Sequence, residues 1–491
     1  MASFYEKAQG LAARTARNSA WRQKECFNLI PSESTPSLLV KMCEIADPSG
    51  RYAEHRTMKG YEIYFYQGTD FIRDVEVEAQ RELESYFGCT DVELRPISGQ
   101  MANEVVFKGV VKFINRGTSE TRPSRRMRLV MNNELIYGGH LSSQPMGALF
   151  NFVEEDPATG KERVLNFPVL RENPYKPDLR RLGELLESHR PELIVFGKSM
   201  FLYREPVRFV ADIVGGWKER PVILFDMAHV LGLYGAFQAP LAEGADLVTG
   251  STHKTFFGTQ RGVVAGSFPK DSPFRPLWLD IKSRAFPGST SNHHLGTLLG
   301  LLMAAYEMNE FKEVFQAQVI RNAKAFARAL KSHGIPVEGD ETDGFTETHQ
   351  VIIRVKSFGH GMDIARRLEE NNIVANYQAL PDDASFLDSS GVRLGVQEMT
   401  RFGMAEKDFD ALAGLMADII ARDRKAGEAV SAYRRNFRAM KYCLPPEDAL
   451  PLAAKVAAGI FPDPGAAALF AENLRRAVEG QGEGESVPNG G

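Results

Sequence analysis

The sequence predicts an α/β protein with a central, mostly parallel sheet and a smaller α+β domain behind it. Two observations predict it. Five short β-rich runs recur, at Arg128–Met131, Glu192–Phe196, Val222–Phe225, Asp246–Thr249 and Gly262–Ser267, and several are apolar on both faces, as strands covered by helices on each side are. Helical or loop segments separate them, and that alternation builds a layered α/β architecture.

The other elements come in chain order. Residues 2–30 carry helix-favouring composition until Ile30-Pro31-Ser32-Glu33-Ser34 breaks it with turn chemistry, so residues 1–50 read as an N-terminal arm. Charged and apolar residues alternate at helical spacing from Val75 to Phe87, and Ser98-Gly99-Gln100 opens a second apolar helix running through Val111. The large domain spans residues 51–300. Residues 301–440 form the small domain: a long helical stretch from Asn292 to Leu330 leads into Thr348–Lys356, Met362–Glu370, Gly391–Gly395 and an amphipathic helix at Ala405–Ile420. Five prolines interrupt the chain after Cys443. Residues 441–491 therefore read as an extension with one alanine-rich helix near Ala466–Val478 and a disordered tail from Glu479.

Composition narrows the function. At 491 residues the chain has room for two or more cores, and its 43% hydrophobic and 25% charged residues are an ordinary globular mix. No apolar run reaches the length of a membrane helix and Met1–Gly10 lacks a signal pattern, so a soluble, cytoplasmic protein with no membrane partner is expected. Lys+Arg 59 against Asp+Glu 63 gives −4, no field for a nucleic-acid backbone. Cys26, Cys43, Cys89 and Cys443 are scattered and read as reduced, mostly buried thiols. His293 and His294 have no carboxylate at a helpful offset and read as packing residues, so no metal is expected. Arg122, Arg125, Arg126 and Arg128 read as a solvated turn before a strand.

The chemistry lies where apolar runs end. Val222-Ile-Leu-Phe-Asp226-Met-Ala-His229 and Ala245-Asp-Leu-Val-Thr-Gly-Ser251-Thr252-His253-Lys254-Thr255 both begin as strands and finish polar. Asp226, His229, His253 and Lys254 therefore stand at the carboxyl ends of neighbouring strands, the edge where open α/β sheets bind ligands. A desolvated lysine has a lowered pKa and attacks aldehydes as the neutral amine. A carboxylate on an adjacent strand keeps a pyridinium nitrogen protonated. Pyridoxal phosphate needs both. Ser98, Gly99 and Gln100 at a helix start would offer N–H groups to its phosphate, Ser251 would add a hydroxyl, and His140 in Tyr137-Gly-Gly-His140-Leu could lie on its ring.

These motifs resemble the serine hydroxymethyltransferase family of fold-type-I, aspartate aminotransferase-like pyridoxal phosphate enzymes. Asp226-Met-Ala-His229 and Thr252-His-Lys-Thr255 are similar to its D-M-A-H and T-H-K-T signatures. In order along the chain, Asn28-Leu-Ile-Pro-Ser32-Glu33 resembles N-L-I-A-S-E, Arg51-Tyr52-Ala-Glu54 resembles K-Y-A-E, Ser98-Gly-Gln-Met-Ala-Asn103 resembles S-G-S-Q-A-N, and Gly138-Gly-His-Leu141 matches G-G-H-L. The resemblance implies that Lys254 condenses with the cofactor aldehyde, Asp226 pairs with its ring nitrogen and His140 stacks on the ring. It further implies that His229 and Ser199 hydrogen-bond the cofactor O3′ region, and that Ser98, Gly99, Gln100, Ser251 and His253 line its pocket. Arg393 and Ser32 would bind the substrate α-carboxylate, and Glu54 would carry a proton. Tyr52 and Tyr66 would come from the partner subunit of a homodimer with shared sites, where Gly288 would reach the neighbouring phosphate.

The implied reaction is aldol chemistry on a β-hydroxy-α-amino acid, with serine/glycine hydroxymethyl transfer to tetrahydrofolate as the leading reading. Departures from the family pattern motivate a second. The segment His55–Phe65 is longer than the family's link, Phe65 and Gln378 stand where folate-facing tyrosine and asparagine are common, and Phe286-Pro-Gly288-Ser-Thr-Ser-Asn292 replaces a glycine-rich run. A folate-independent threonine aldolase or transaldolase fits the same carbanion chemistry, while a hydroxymethyltransferase for an α-substituted serine such as α-methylserine falls under the leading reading. The third reading is an inactive cofactor-binding scaffold.

Overall fold

The computed structural model describes residues 2–58, 61–119 and 123–480. Its centre is a 7-stranded sheet in the order Asp91–Glu93, Gly262–Gly266, Leu247–Ser251, Val222–Asp226, Leu193–Gly197, Val130–Asn132, Val164–Asn166. The last five run parallel, and Gly262–Gly266 is antiparallel to both its neighbours. Alternate residues explain why these strands read apolar throughout. Leu193, Val195, Val222 and Leu224 pack on one side with Val106 and Val110 of the Gly99–Ile114 helix and Leu277 and Ile281 of the Arg275–Ala285 helix. Ile194, Phe196, Ile223 and Phe225 pack on the other with Leu182, Val207 and Val210.

The 38-residue helix Leu295–Ser332 leads on to a second, three-stranded sheet. There Gln350–Arg354, Gly391–Gly395 and Asn376–Gln378 form an antiparallel sheet covered by the Gly361–Glu370 and Glu406–Ile420 helices. The central strand, Gly391–Gly395, carries Arg393 at its midpoint, and that side chain reaches the Ser199 carbonyl just beyond the large sheet's Leu193–Gly197 strand.

Several expectations change. The N-terminal arm is a helix only over Phe4–Ala20; a wider turn continues to Glu25, and Phe27–Asn28 is a strand paired in parallel with Ile373–Val374. His55–Met58 pairs antiparallel with Tyr61–Tyr64 as the two arms of a hairpin. The tail has two helices, Pro446–Ala458 and Pro464–Gly480, because Pro446 occupies a first-turn position that needs no N–H. The disorder expected from Glu479 onwards falls, beyond Gly480, outside the described residues. Of the four free cysteines only Cys26 is buried. Arg125 and Arg128 are not merely solvated: both hold Glu192, at 2.7 Å each, while Arg122 lies outside the described residues. His293 does meet a carboxylate, Glu76, supplied from a distant helix at 2.9 Å. Among the described residues no helix is long and apolar enough to cross a membrane.

Candidate active site

The strand Val222–Asp226 is buried along its length and delivers Asp226 to the carboxyl edge, in register with Thr249 of the next strand. Asp226 Oδ1 accepts from the Ala228 N–H at 2.9 Å, and Oδ2 accepts from Asn103 Nδ2 at 2.7 Å and His140 Nδ1 at 2.5 Å. Burial pushes this carboxyl up, but His140 and these hydrogen bonds more than offset it and hold it below its usual range. It is an oriented carboxylate.

Lys254 lies just beyond the neighbouring strand Leu247–Ser251, and its Nζ is 3.2 Å from His229 Nε2. Burial lowers the amine to about 8, with Asp226 opposing the shift and Arg393 adding to it. His229 is buried, and burial together with the Lys254 and Arg393 charges holds it well below the usual imidazole value, as the neutral ring. Thr255 Oγ1 donates to the His229 carbonyl at 3.2 Å, fixing one loop against the other. His253, half-buried beside them, is lowered to about 4 by burial and then by Lys254.

The loop Gly138–Leu141 is pinned to the end of the Leu193–Gly197 strand: the His140 N–H donates to the Gly197 carbonyl at 2.9 Å, and the Ser199 N–H to the Gly138 carbonyl at 2.8 Å. That places Ser199 beside His140. Arg393 reaches the same point, donating from Nη1 to the Ser199 carbonyl at 2.6 Å. Its guanidinium is buried, no carboxylate pairs with it, Nε has no partner, and burial alone lowers it to about 10. An unpaired buried guanidinium is costly unless an anion arrives. Ser32 is half-buried in a loop docked on this strand: the Gly395 N–H donates to the Leu29 carbonyl at 2.7 Å, and His349 Nε2 lies 3.0 Å from the Pro31 carbonyl.

Ser98 caps the Gly99–Ile114 helix, its hydroxyl accepting from the Met101 N–H at 3.1 Å. A Cβ at Gly99 would stand 2.1 Å from Ser251 Oγ, so only glycine lets the helix start and this hydroxyl share one spot. Gln100 is exposed in the first turn. The result is a cradle of N–H and O–H groups for an anion.

Four expected residues are not brought to this cluster within one chain. Glu54 is half-buried at the base of the hairpin; Tyr52 and Tyr66 are exposed, their rings 5.2 Å apart; Gly288 accepts from Lys108 Nζ at 3.1 Å. Among the described residues no hydrogen bond or ion pair joins them to Lys254, His229 or Arg393. Sequence reasoning assigned no role to Asn103 and overlooked His349. Asn103 stands four residues after Gly99, a polar side chain on the inward face of an apolar helix, and that position is its signal. It bonds Asp226 and accepts from Thr249 Oγ1 at 2.5 Å.

Pyridoxal phosphate fits these residues: an enclosed amine, an oriented carboxylate, a helix start with a hydroxyl at its tip, and unpartnered buried nitrogens on His229 and Arg393. The sheet and this edge define a fold-type-I pyridoxal phosphate enzyme. Residues 10–416 match the family model described as serine hydroxymethyltransferase. The chain is 36% identical over 429 residues to a serine hydroxymethyltransferase of Archaeoglobus fulgidus, covering 85% of this chain and 89% of that one. It is 35% identical over 433 residues to that of Pyrobaculum islandicum, covering 87% and 92%. A solved L-threonine transaldolase from Pseudomonas fluorescens shares the fold, with TM-score 0.77 and 24% identity over 93% of this chain and 98% of that one. The chain belongs to the serine hydroxymethyltransferase family.

Proposed function

We propose that the protein cleaves and forms the Cα–Cβ bond of a β-hydroxy-α-amino acid, with serine/glycine hydroxymethyl transfer to tetrahydrofolate as its reaction. One observation carries the amino-acid part of this reading: the buried guanidinium of Arg393 has no carboxylate of its own and lies one hydrogen bond from the Ser199 carbonyl, in a site whose charges act directly on Lys254. A substrate α-carboxylate supplies the missing anion, held by a planar two-pronged donor, and Ser32 borders it.

Bound pyridoxal phosphate supplies an aldehyde and an electron-poor ring that accepts the electron pair of the broken bond. Lys254 offers a neutral amine because its surroundings disfavour the ammonium. Asp226, kept ionised by His140 and Asn103, holds the proton on the ring nitrogen. His229 stays neutral and takes a hydrogen bond at Nε2. Arg393 fixes the carboxylate, which orients Cα relative to the ring. Glu54 accepts the β-hydroxyl proton as the bond breaks and returns it in the reverse direction.

A homodimer is part of the proposal. The Phe4–Ala20 helix buries no residue in the single chain, and Tyr52, Tyr66, Leu135, Ile136 and Leu141 are exposed. Light scattering of the purified protein tests it, a monomer refuting the shared site.

The folate-independent reading has its own observation. The Asn376 amide donates to the Tyr377 carbonyl at 3.1 Å and that of Gln378 to the Ala379 carbonyl at 3.3 Å, and Phe65 pairs with Phe286 at 6.3 Å. Each amide thus has one of its two hydrogens engaged by neighbouring backbone. Measuring glycine from serine and from threonine, each with and without tetrahydrofolate, decides. Folate-dependent serine cleavage supports the main proposal; rapid threonine cleavage without folate replaces it with the second.

A further inference from the structure

His55, Glu76 and His293 converge so that one ligating atom from each lies within 4.8 Å of the others. Two histidines and a carboxylate are a zinc-like donor set. The remaining ring nitrogen of His293 decides against it. A histidine that ligates through Nε2 carries its proton on Nδ1 and gives it to an acceptor. Here His293 Nδ1 faces a donor, Arg261 Nη2 at 3.1 Å, so the proton sits on Nε2, which faces Glu76 Oε1 at 2.9 Å. His55 Nδ1 lies 3.1 Å from the Ala53 carbonyl, which takes its proton, so the objection rests on His293. Tyr64 and His293 thus turn hydrogens towards Glu76, which leaves a cation without its second histidine.

What Glu76 does instead is hold the hairpin. Tyr64 donates to its Oε2 at 2.8 Å, His55 Nδ1 is 3.5 Å from the same oxygen, and the His55 and Tyr64 rings stack at 4.5 Å. His55 and Tyr64 are the register pair at the hairpin's base, while Arg56, Thr57, Met58, Tyr61, Glu62 and Ile63 are exposed. A two-stranded hairpin is marginal alone, so its base anchor decides where it stands. Directly behind that pair, the Phe65 N–H donates to the Glu54 carbonyl at 3.0 Å. On its other side Glu76 reaches, through His293, the guanidinium of Arg261, whose backbone N–H donates to Thr252 Oγ1 at 3.1 Å, two residues before Lys254. One carboxylate thus links the segment bearing Glu54 to the segment bearing Lys254.

We propose that Glu76 is a positioning residue for the Glu54 carboxylate, acting through His55 and Tyr64. The inference rests on the proton-carrying role proposed for Glu54. Burial pushes the Glu76 carboxyl up, but His293, His55 and Tyr64 more than offset it, so it serves as an ionised acceptor. Burial in turn keeps His293 below the usual imidazole value, in line with its single proton.

The test compares Glu76→Gln and Tyr64→Phe in the holoenzyme, each alone and combined with Glu54→Gln. Each single variant is expected to lower kcat for β-hydroxy amino acid cleavage by about tenfold, as small misplacements of reacting groups do, with glycine affinity and cofactor absorbance unchanged. Combined with Glu54→Gln, neither adds a further loss. Tyr64→Phe removes one hydroxyl and carries the test if Glu76→Gln does not fold. Wild-type kcat, a parallel loss of glycine affinity, or the full extra loss in the Glu54→Gln background overturns the positioning role alone. Wild-type cleavage by Glu54→Gln itself overturns the proton-carrier reading and this inference with it.

Discussion

Lys254 Nζ and His229 Nε2 meet at 3.2 Å across the ends of two neighbouring parallel strands. Burial and then the Lys254 charge keep the His229 ring neutral, while the amine itself is lowered by burial first and then by Arg393. The site therefore offers an amine rather than an ammonium under mildly alkaline conditions.

The pH dependence comes from the burial of that amine. The folded amine sits at about 8, against roughly 10.4 for a free lysine. Cofactor loading of the apoprotein should rise with pH through a midpoint near 8, read as growth of an absorbance band near the visible edge. Between that midpoint and the free-lysine value the unfolded chain holds a proton the folded one lacks, so this group's contribution to apoprotein stability also rises with pH across that window. Lys254→Ala should abolish the band, and a coloured variant would remove Lys254 from the role.

Arg393→Ala should weaken serine and glycine binding by about 2–3 kcal/mol, the scale of a charge-assisted paired contact. Arg393→Lys should recover little, because an ammonium lacks the planar fork. Titration with glycine checks both, and unaltered affinity would place the carboxylate elsewhere.

Glu54→Gln should leave cofactor loading and glycine binding intact while slowing β-hydroxy amino acid cleavage by roughly a hundredfold, within the range for losing a general acid or base. Single-turnover kinetics separate the two steps.

Gly99→Ala should cost cofactor affinity more than fold stability. The added methyl displaces the Ser251 hydroxyl, which stands 2.1 Å from its position, and the loss of one polar contact is about 1 kcal/mol. Equilibrium dialysis of the cofactor against thermal unfolding of the apoprotein distinguishes the two.

Much of the site was legible because doubly buried strands leave a plain signature: a run such as Val222–Phe225 can stop only at the sheet edge, and the polar residues just beyond it face ligand. The hairpin was not legible, since most of its side chains are exposed and no inward face marks its period; only His55 and Tyr64 turn inward, towards a carboxylate on a separate helix. Pro446–Ala458 was missed for the opposite reason: Pro446 and Pro451 look like breakers, yet the first is at home in an opening turn and the second is tolerated within the helix. His293 shows the limit of reading offsets along the chain, because its carboxylate partner is 217 residues away (293 − 76) and only tertiary packing joins them.

The strand Phe27–Asn28 hydrogen-bonds to Ile373–Val374, and the loop after it leans on the strand that carries Arg393. The jaw proposed for the substrate's acid group is thus stitched from the N-terminal arm and the much later Gly391–Gly395 strand. Clipping the first thirty residues would remove the strand that docks the Ser32 loop rather than shorten a loose end.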